Sequence, residues 1–188
     1  GMLLNSFFLW LWRLTPTLVP EWRFSIRLIF ITIVNLSFWF VGAIISVMLF
    51  SDSDPILIGC VALGIGLIFG RWATRGFHPA PRGKNKVGMI ILVSRGFAAA
   101  IAIGVAVWLS QQGSPLLAGI ASVFPAIFLT TMAALWISQG EEVPSGAVGP
   151  MMLGSMSVSL YALAATVFFP DYGIILGSIF SWVFSLLF

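Results

Sequence analysis

Arg95 is the residue of this chain best suited to chemistry, because it is the one charged side chain within a long apolar run. The residues around it, from about 87 to 109, are otherwise almost entirely apolar or small. A guanidinium at membrane depth costs at least about 2.5–3.5 kcal/mol on insertion scales, so such residues usually face a bundle interior or a wet cavity. Arg95 therefore predicts contact with an anionic solute, or a structural role in which its long stem carries the charge to lipid phosphates.

The candidate partners of Arg95 define the rest of the predicted site. No Asp or Glu lies within a predicted membrane span, so hydroxyl groups, backbone carbonyls and carboxylates at the membrane edge remain. Ser122 and Tyr161 supply hydroxyl groups for a substrate-binding site, while Glu141 and Glu142 are candidate ion-pair partners for basic groups.

Pro125 and Pro150 interrupt two of the predicted spans. A proline removes one helical hydrogen bond and frees the carbonyl four residues earlier, which here belongs to Ala121 or Gly146. In hydrocarbon a free carbonyl must find a partner or line a wet cavity. We therefore predict a kinked substrate-binding lining at Pro125 and at Gly149–Pro150, with ordinary packing as the alternative.

Catalysis by the usual membrane-embedded enzymes does not fit the residues present. Zinc hydrolysis needs a cluster of His, Cys or carboxylate ligands, and the chain has one His and one Cys, far apart in sequence. Aspartyl chemistry needs two carboxylates that share a proton. We therefore predict a protein that is not an enzyme and uses no metal or cofactor.

The composition indicates that most of the chain's surface faces lipid. Of the 188 residues, 60% are hydrophobic and 8% are charged, whereas soluble domains carry about 25% charged residues. The net charge of +3 does not indicate nucleic-acid binding, because the basic residues are few and follow membrane topology. The sequence predicts an all-α integral membrane protein whose main partner is the lipid bilayer.

The apolar runs predict six transmembrane helices in one domain, residues 25–188. The predicted spans are about 28–50, 56–70, 87–109, 116–139, 145–169 and 173–188. Residues 1–24 contain an apolar stretch too short to cross about 30 Å of hydrocarbon, followed by Trp, Arg and Pro. We expect this segment to lie at the membrane interface, with a short re-entrant element as the alternative.

The basic residues predict how the spans are oriented. Eight of the nine Lys and Arg side chains lie either before the first span or between the second and third spans. Basic loops face the cytoplasm, so this pattern predicts a multi-pass inner-membrane protein with both termini cytoplasmic.

Small residues indicate where helices pack. The pair Gly66 and Gly70 has the spacing of close helix contacts in membranes. In the third predicted span, small residues recur every four positions, which makes that helix the expected centre of the bundle. Pro55 and Pro115 open similar segments 60 residues apart, and this raises the hypothesis of three tandem helical hairpins, with chance recurrence as the alternative.

The second half of the chain, about residues 87–188, resembles the GlpM-like small bacterial inner-membrane proteins. The likeness is carried by Leu117-Ala118-Gly119, Phe124-Pro125, Gly140, Gly154, Ser157, Tyr161, Leu163, Phe169, Gly177 and Trp182. Members of that family also have a basic residue at the position of Arg95. The resemblance implies a multi-pass inner-membrane protein and supplies no substrate.

Two functional hypotheses follow. The first is a small transporter or permease-like protein for a small, anionic solute, with Arg95 facing a cavity near Pro125 and Pro150, working alone or as a homo-oligomer. The second is a non-transporting accessory protein that packs against partner membrane proteins. A weaker hypothesis is a lipid-handling protein that uses the basic loop 71–86 against anionic headgroups.

Overall fold

The fold is entirely helical over the residues that can be described. The structure is a computed structural model, which describes residues 1–50, 53–75, 88–111, 121 and 124–186. Helices make up 90% of this part of the chain, and none of it forms a strand. Its six helices are α1 (Met2–Leu18), α2 (Phe24–Phe50), α3 (Pro55–Thr74), α4 (Met89–Ser110), α5 (Ala126–Gln139) and α6 (Glu142–Leu186).

Helix α1 lies at the centre of the bundle. It packs against α2, α3, α5 and α6, and its side chains Phe8, Leu9 and Trp12 are buried. The sequence predicts an interfacial segment at residues 1–24, because its apolar stretch is short and the segment contains Trp residues. The depth of α1 in a bilayer stays a prediction, but one face of the helix is enclosed by its neighbours.

Helix α3 begins where the sequence provides a strong N-terminal cap. Asp54 accepts hydrogen bonds from the backbone N–H groups of Ile56 and Leu57, at 2.8 and 2.9 Å, and Pro55 occupies the first helical position. The carboxylate accepts from two of the N–H groups that a helix start leaves unpaired, and Pro55 has no N–H group that needs a partner. The helix therefore begins at the predicted position.

Glycines on α3 allow it to pack closely against α6. A methyl group on Gly66 would overlap Met156, and one on Gly70 would lie 2.9 Å from Cδ2 of Leu153. The prediction of close packing through this glycine pair is confirmed. Gly64, on a different face of α3, has nothing within 4 Å of such a methyl group.

Helix α6 is a helical hairpin that turns at Gly173. The rings of Phe168 and Phe184 have centroids 6.5 Å apart, whereas sixteen residues of continuous helix would separate them by about 24 Å. Gly173 has φ 71° and ψ 178°, a conformation that essentially only glycine adopts. The predicted turn after residue 169 is therefore confirmed.

Among the described residues, three helices, α2, α3 and α6, are long and apolar enough to cross a membrane. They correspond to the first, second, fifth and sixth predicted spans, the last two joined in α6. The prediction of six spans is only partly supported, because neither α4, with 22 residues, nor α5, with 14 residues, is among these candidate spans. The beginning of the predicted span 116–139 lies largely outside the described residues.

Helix α4 lies at the edge of the bundle rather than at its centre. It packs chiefly against α5, and methyl groups on Gly96 and Gly104 would contact nothing within 4 Å. The expectation that this helix forms the centre is wrong for the described residues; α1 occupies that position. The hypothesis of three tandem hairpins stays a prediction, because α2 and α3 both pack extensively against α1 and the residues between α4 and α5 lie largely outside the described ranges.

Four chain segments meet at one end of the bundle, which we call the basic end. Arg13 of α1 donates to the carbonyls of Ala73 in α3 and Ser145 in α6, at 2.6 and 3.1 Å. Arg27 of α2 reaches the carbonyl of Pro16 in α1 at 3.2 Å. Since Arg23, Arg71 and Arg75 lie on the same helix ends, this end gathers five of the eight basic residues that the topology prediction assigned to one side, and the other three lie outside the described residues.

Candidate ligand site at the centre of the bundle

A cleft of about 510 Å³ lies between α1, α5 and α6, and α4 forms part of its rim. Its volume is within the range of about 300–1,000 Å³ that is typical of small-molecule sites. The cleft is lined by Met2, Asn5, Ile103, Phe124, Pro125, Ala126, Ile127, Phe128, Met151, Gly154, Ser155 and Val158. Ile103, Ile127 and Val158 are also exposed on the outer surface, so the cleft opens sideways, towards the face that lipid would cover.

The cleft lies at a similar depth along α5 and α6. Ser155 is fourteen residues from Glu141, Pro125 is fourteen residues from Gln139, and each interval corresponds to about 21 Å of helix. Both intervals are measured from the basic end of the bundle. A hydrocarbon core is about 30 Å thick, so a cleft at this distance lies within the membrane when the basic end is at its surface.

Two buried polar side chains form the floor of the cleft. Asn5 is 2% exposed and Ser155 is 4% exposed. Asn5 Oδ1 accepts a hydrogen bond of 2.9 Å from the indole Nε1 of Trp39, and Ser155 Oγ lies 3.4 Å from Oγ of Ser6. These bonds fix both side chains in place, so the floor is preorganised for hydrogen bonding.

The helix is interrupted at Pro125, and this interruption leaves space for the cleft. Proline cannot donate to a preceding turn, and α5 begins only after it, at Ala126. Pro125 has φ −80° and ψ 42°, and the carbonyl of Ala121 accepts a hydrogen bond of 3.3 Å from the N–H of Phe124. The predicted interruption is present, but the carbonyl that it was expected to free is occupied.

Among the described residues, no charged side chain lines the cleft. Arg13 is the most buried cation in the described ranges; it is 7% exposed and lies at the basic end. Burial lowers its pKa, and its hydrogen bonds to carbonyls of α3 and α6 offset part of the desolvation. Arg13 therefore stabilises the junction of three helices, and the cleft itself is neutral.

An aromatic and ionic cluster closes the bundle between the cleft and the basic end. The rings of Trp12 and Trp136 are 6.2 Å apart, and the guanidinium of Arg27 lies 5.8 Å from the Trp136 ring centroid. Arg27 also forms an ion pair with Glu141, with 2.8 Å between Nη1 and Oε2. We call these four residues the closing cluster, because their contacts join α1, α2 and α5 at this end of the bundle.

The residues predicted for the site are distributed over several places. Pro125 lines the cleft, but Arg95 is partly buried on α4, eight residues or about 12 Å of helix before Ile103. Gly149 is buried against Thr74, where a methyl group would lie 2.8 Å from Oγ1. The others are Pro150, which is exposed, Tyr161, which is half-buried outside the cleft, and Ser122, which lies outside the described residues.

Of the two predicted ion-pair carboxylates, Glu141 pairs with Arg27 rather than with Arg95. Glu142 is exposed at the start of α6. Among the described ranges, no group of three or more His, Cys, Asp or Glu side chains comes close enough to hold a metal ion.

The polar residues of the interior were missed by the sequence analysis. Asn5, Asn35 and Arg13 are all buried, and Asn35 has no hydrogen-bond partner for Nδ2 or Oδ1 in the described structure. A signal was available in α2, where Arg27, Ile31, Asn35 and Trp39 recur every four residues and so share one face. That spacing marks a polar stripe turned towards a neighbouring helix.

Comparison with known proteins adds no family to this description. No family model, no curated protein and no solved structure matches this chain.

Proposed function

We propose that this chain is a small permease-like membrane protein that binds a solute in the cleft between α1, α5 and α6. The observation that carries the proposal is the pair of preorganised polar side chains, Asn5 and Ser155, at the floor of an otherwise apolar cleft. Buried polar groups at membrane depth are costly and commonly mark a substrate path. Membrane association itself is supported by α2, α3 and α6.

The closing cluster supports a transport role for the cleft. It joins α1, α2 and α5 through Trp12, Trp136 and the Arg27–Glu141 ion pair near the basic end, while the cleft is open at its side. A site that is closed towards one face and open elsewhere is what alternating access requires. Release of the ion pair would separate α2 from the turn between α5 and α6.

The inner-membrane location, the cytoplasmic termini and the resemblance to GlpM-like proteins remain parts of this proposal. The gathering of Arg13, Arg23, Arg27, Arg71 and Arg75 at one end supports a cytoplasmic position for that end. An anionic solute receives less support, because the lining residues of the cleft carry no cation in the described chain.

A variant that fills the cleft tests the proposal. Gly154 lines the cleft, and a methyl group there would contact nothing within 4 Å, so Gly154→Leu occupies the space without displacing the backbone. Gly64→Leu is the matched control, since Gly64 has equal room on an exposed face of α3.

Both variants and the unmodified protein are reconstituted in liposomes and screened with labelled uncharged, anionic and cationic solutes. We expect solute flux in the unmodified protein and in Gly64→Leu, and at least a tenfold loss in Gly154→Leu. Equal flux in both variants, or no flux with any solute, would overturn the proposal. Arg95→Ala in the same assay tests the anion hypothesis, which predicts loss of anion flux.

The accessory role is the second candidate, and the exposure of α4 favours it. Ile90, Phe97 and Ile101 are all more than half exposed, and within the described structure α4 has one main neighbour, α5. A photo-crosslinking residue at Phe97, with one at the equally exposed Ile68 of α3 as control, tests this role in cells. One stoichiometric protein adduct at 97 and none at 68 supports it, whereas lipid adducts at both positions count against it.

A further inference from the structure

We infer that the cleft selects an uncharged amphiphile, with a hydroxyl or amide head at Asn5 and Ser155 and an apolar body along α5 and α6. This inference rests on the proposed function and specifies the chemical class of its ligand. Three properties of the cleft support this class: its described lining is uncharged, its two polar side chains can still form hydrogen bonds, and it opens to the side.

Charge is the first argument. Moving an isolated carboxylate or ammonium group out of water without a partner is prohibitively costly. Among the described lining residues there is no Arg, Lys, Asp or Glu. The buried guanidinium of Arg13 donates to the carbonyls of Ala73 and Ser145 at the basic end, so it does not serve the cleft.

The hydrogen-bonding capacity of Asn5 is the second argument. An indole N–H can only donate, so the bond from Trp39 directs Oδ1 of Asn5 towards α2. The donor group of the amide, Nδ2, then points away from Trp39 and bonds elsewhere. Among the described residues, the acceptor that Nδ2 reaches is Sδ of Met2, at 3.8 Å. Sulfur is a weak acceptor and an amide has two donor hydrogens, so Asn5 retains donor capacity towards the cleft.

Ser155 provides the complementary acceptor. Its Oγ donates to the carbonyl of Met152 at 2.7 Å, which uses its single hydrogen, and the contact with Ser6 Oγ uses one lone pair. One acceptor site is left on Ser155. A ligand hydroxyl both donates and accepts, so it can donate to Ser155 and accept from Asn5, which an ammonium or a carboxylate cannot do.

The route into the cleft is the third argument. The described residues at the side opening, Ile103, Ile127 and Val158, are all apolar. A fully polar solute would have to pass this rim from lipid, whereas an amphiphile already dissolved in the bilayer enters with its chain against the same residues. The rim therefore matches the apolar body of the ligand, and the floor matches its head.

Methionine methyl groups provide a direct test. Protein carrying ¹³C in its methionine methyl groups is placed in nanodiscs and titrated with decan-1-ol, decyl sulfate or decyltrimethylammonium, which share a chain and differ in head charge. Met2 and Met151 line the cleft, while Met48 and Met89, 74% and 72% exposed, report non-specific partition into lipid. We expect decan-1-ol alone to shift the Met2 and Met151 signals saturably.

Ser155→Ala tests the role of the hydroxyl, and Ser157→Ala is its matched control. Both serines lie on α6 and donate to the carbonyl three residues earlier at 2.7 Å, but Ser157 is not among the lining residues. We expect Ser155→Ala to weaken binding of decan-1-ol about two- to tenfold, the range for one neutral hydrogen bond. Ser157→Ala should bind as the unmodified protein does.

The outcomes separate this inference from the function on which it rests. Saturable binding of decyl sulfate or decyltrimethylammonium at Met2 and Met151 would overturn the uncharged class while leaving the cleft as a ligand site. Equal affinity in the two serine variants would overturn recognition by Ser155. Signals at Met2 and Met151 that move no more than those of Met48 and Met89 would remove the cleft as a site, whereas intact binding without flux in liposomes would overturn transport alone.

Discussion

The indole Nε1 of Trp39 donates a hydrogen bond of 2.9 Å to Oδ1 of Asn5, and this bond joins the middle of α2 to the beginning of α1. Both side chains are 2% exposed. The ring of Trp39 also packs edge-on against Phe124, with centroids 5.5 Å apart. Trp39 thus fixes the position of Asn5 in the floor of the cleft, although Trp39 does not line the cleft itself.

Trp39→Phe should destabilise the protein by about 1–2 kcal/mol, because it leaves Oδ1 of Asn5 buried without its donor. Thermal unfolding in detergent micelles measures the effect. Trp182→Phe is the control, since Trp182 is 58% exposed and loses the same ring atoms without leaving a buried acceptor. Equal melting temperatures for the two variants would show that the indole bond contributes nothing measurable.

The ion pair between Arg27 and Glu141 should make a small contribution to stability and a larger one to keeping the basic end closed. Glu141 is 43% exposed, and exposed ion pairs contribute about 0.2–1 kcal/mol. Glu141→Gln should therefore leave the unfolding temperature almost unchanged while increasing thiol labelling of a cysteine placed at the buried Met132, in a protein whose exposed Cys60 is replaced by serine.

Glu142→Gln is the matched control for that experiment, because Glu142 is the exposed neighbour in sequence and carries the same charge. Labelling of the cysteine at position 132 should stay slow in this variant. If both glutamine variants label equally fast, net charge rather than the Arg27 pair controls access, and the closing cluster is not a gate.

Gly66→Ala should destabilise the packing of α3 against α6 by about 1–3 kcal/mol, the usual cost of overpacking. A methyl group there would overlap Met156, which is fully buried. Gly64→Ala should be neutral or slightly stabilising, because alanine favours helix more than glycine does and the position is open. Chemical denaturation of both variants in micelles distinguishes the two; a Gly66→Ala protein as stable as Gly64→Ala would contradict the observed contact.

Local sequence patterns predicted the features that depend on short stretches of chain. The start of α3 near residue 56, the small face at Gly66 and Gly70, and the turn before Gly173 follow from residue type and spacing alone. The helices α2 and α3 were predicted for the same reason, since an apolar run bounded by charges or by a capped turn defines its own length. These features require no knowledge of which helices are neighbours.

The position of α1 and the site that it forms could not be predicted in this way. Its Trp residues and short length are equally typical of an interfacial helix, and Asn5 has meaning only once Trp39 lies beside it. Arg95 drew attention because it is charged, whereas the cleft is lined by neutral groups. Small residues on α4 indicate a surface that permits close packing, but they do not show whether a partner helix is present.

Asn35 provides the sharpest test of the interior, because its amide is completely buried and makes no hydrogen bond in the described structure. A buried polar group without a partner costs about 1–3 kcal/mol. Asn35→Leu, which is close in size and apolar, should therefore raise the unfolding temperature in micelles. Asn5→Leu should lower it, since Asn5 is the acceptor for Trp39. A fall in both variants would show that the amide of Asn35 has a partner, such as an internal water molecule, and that the polar stripe of α2 is hydrated.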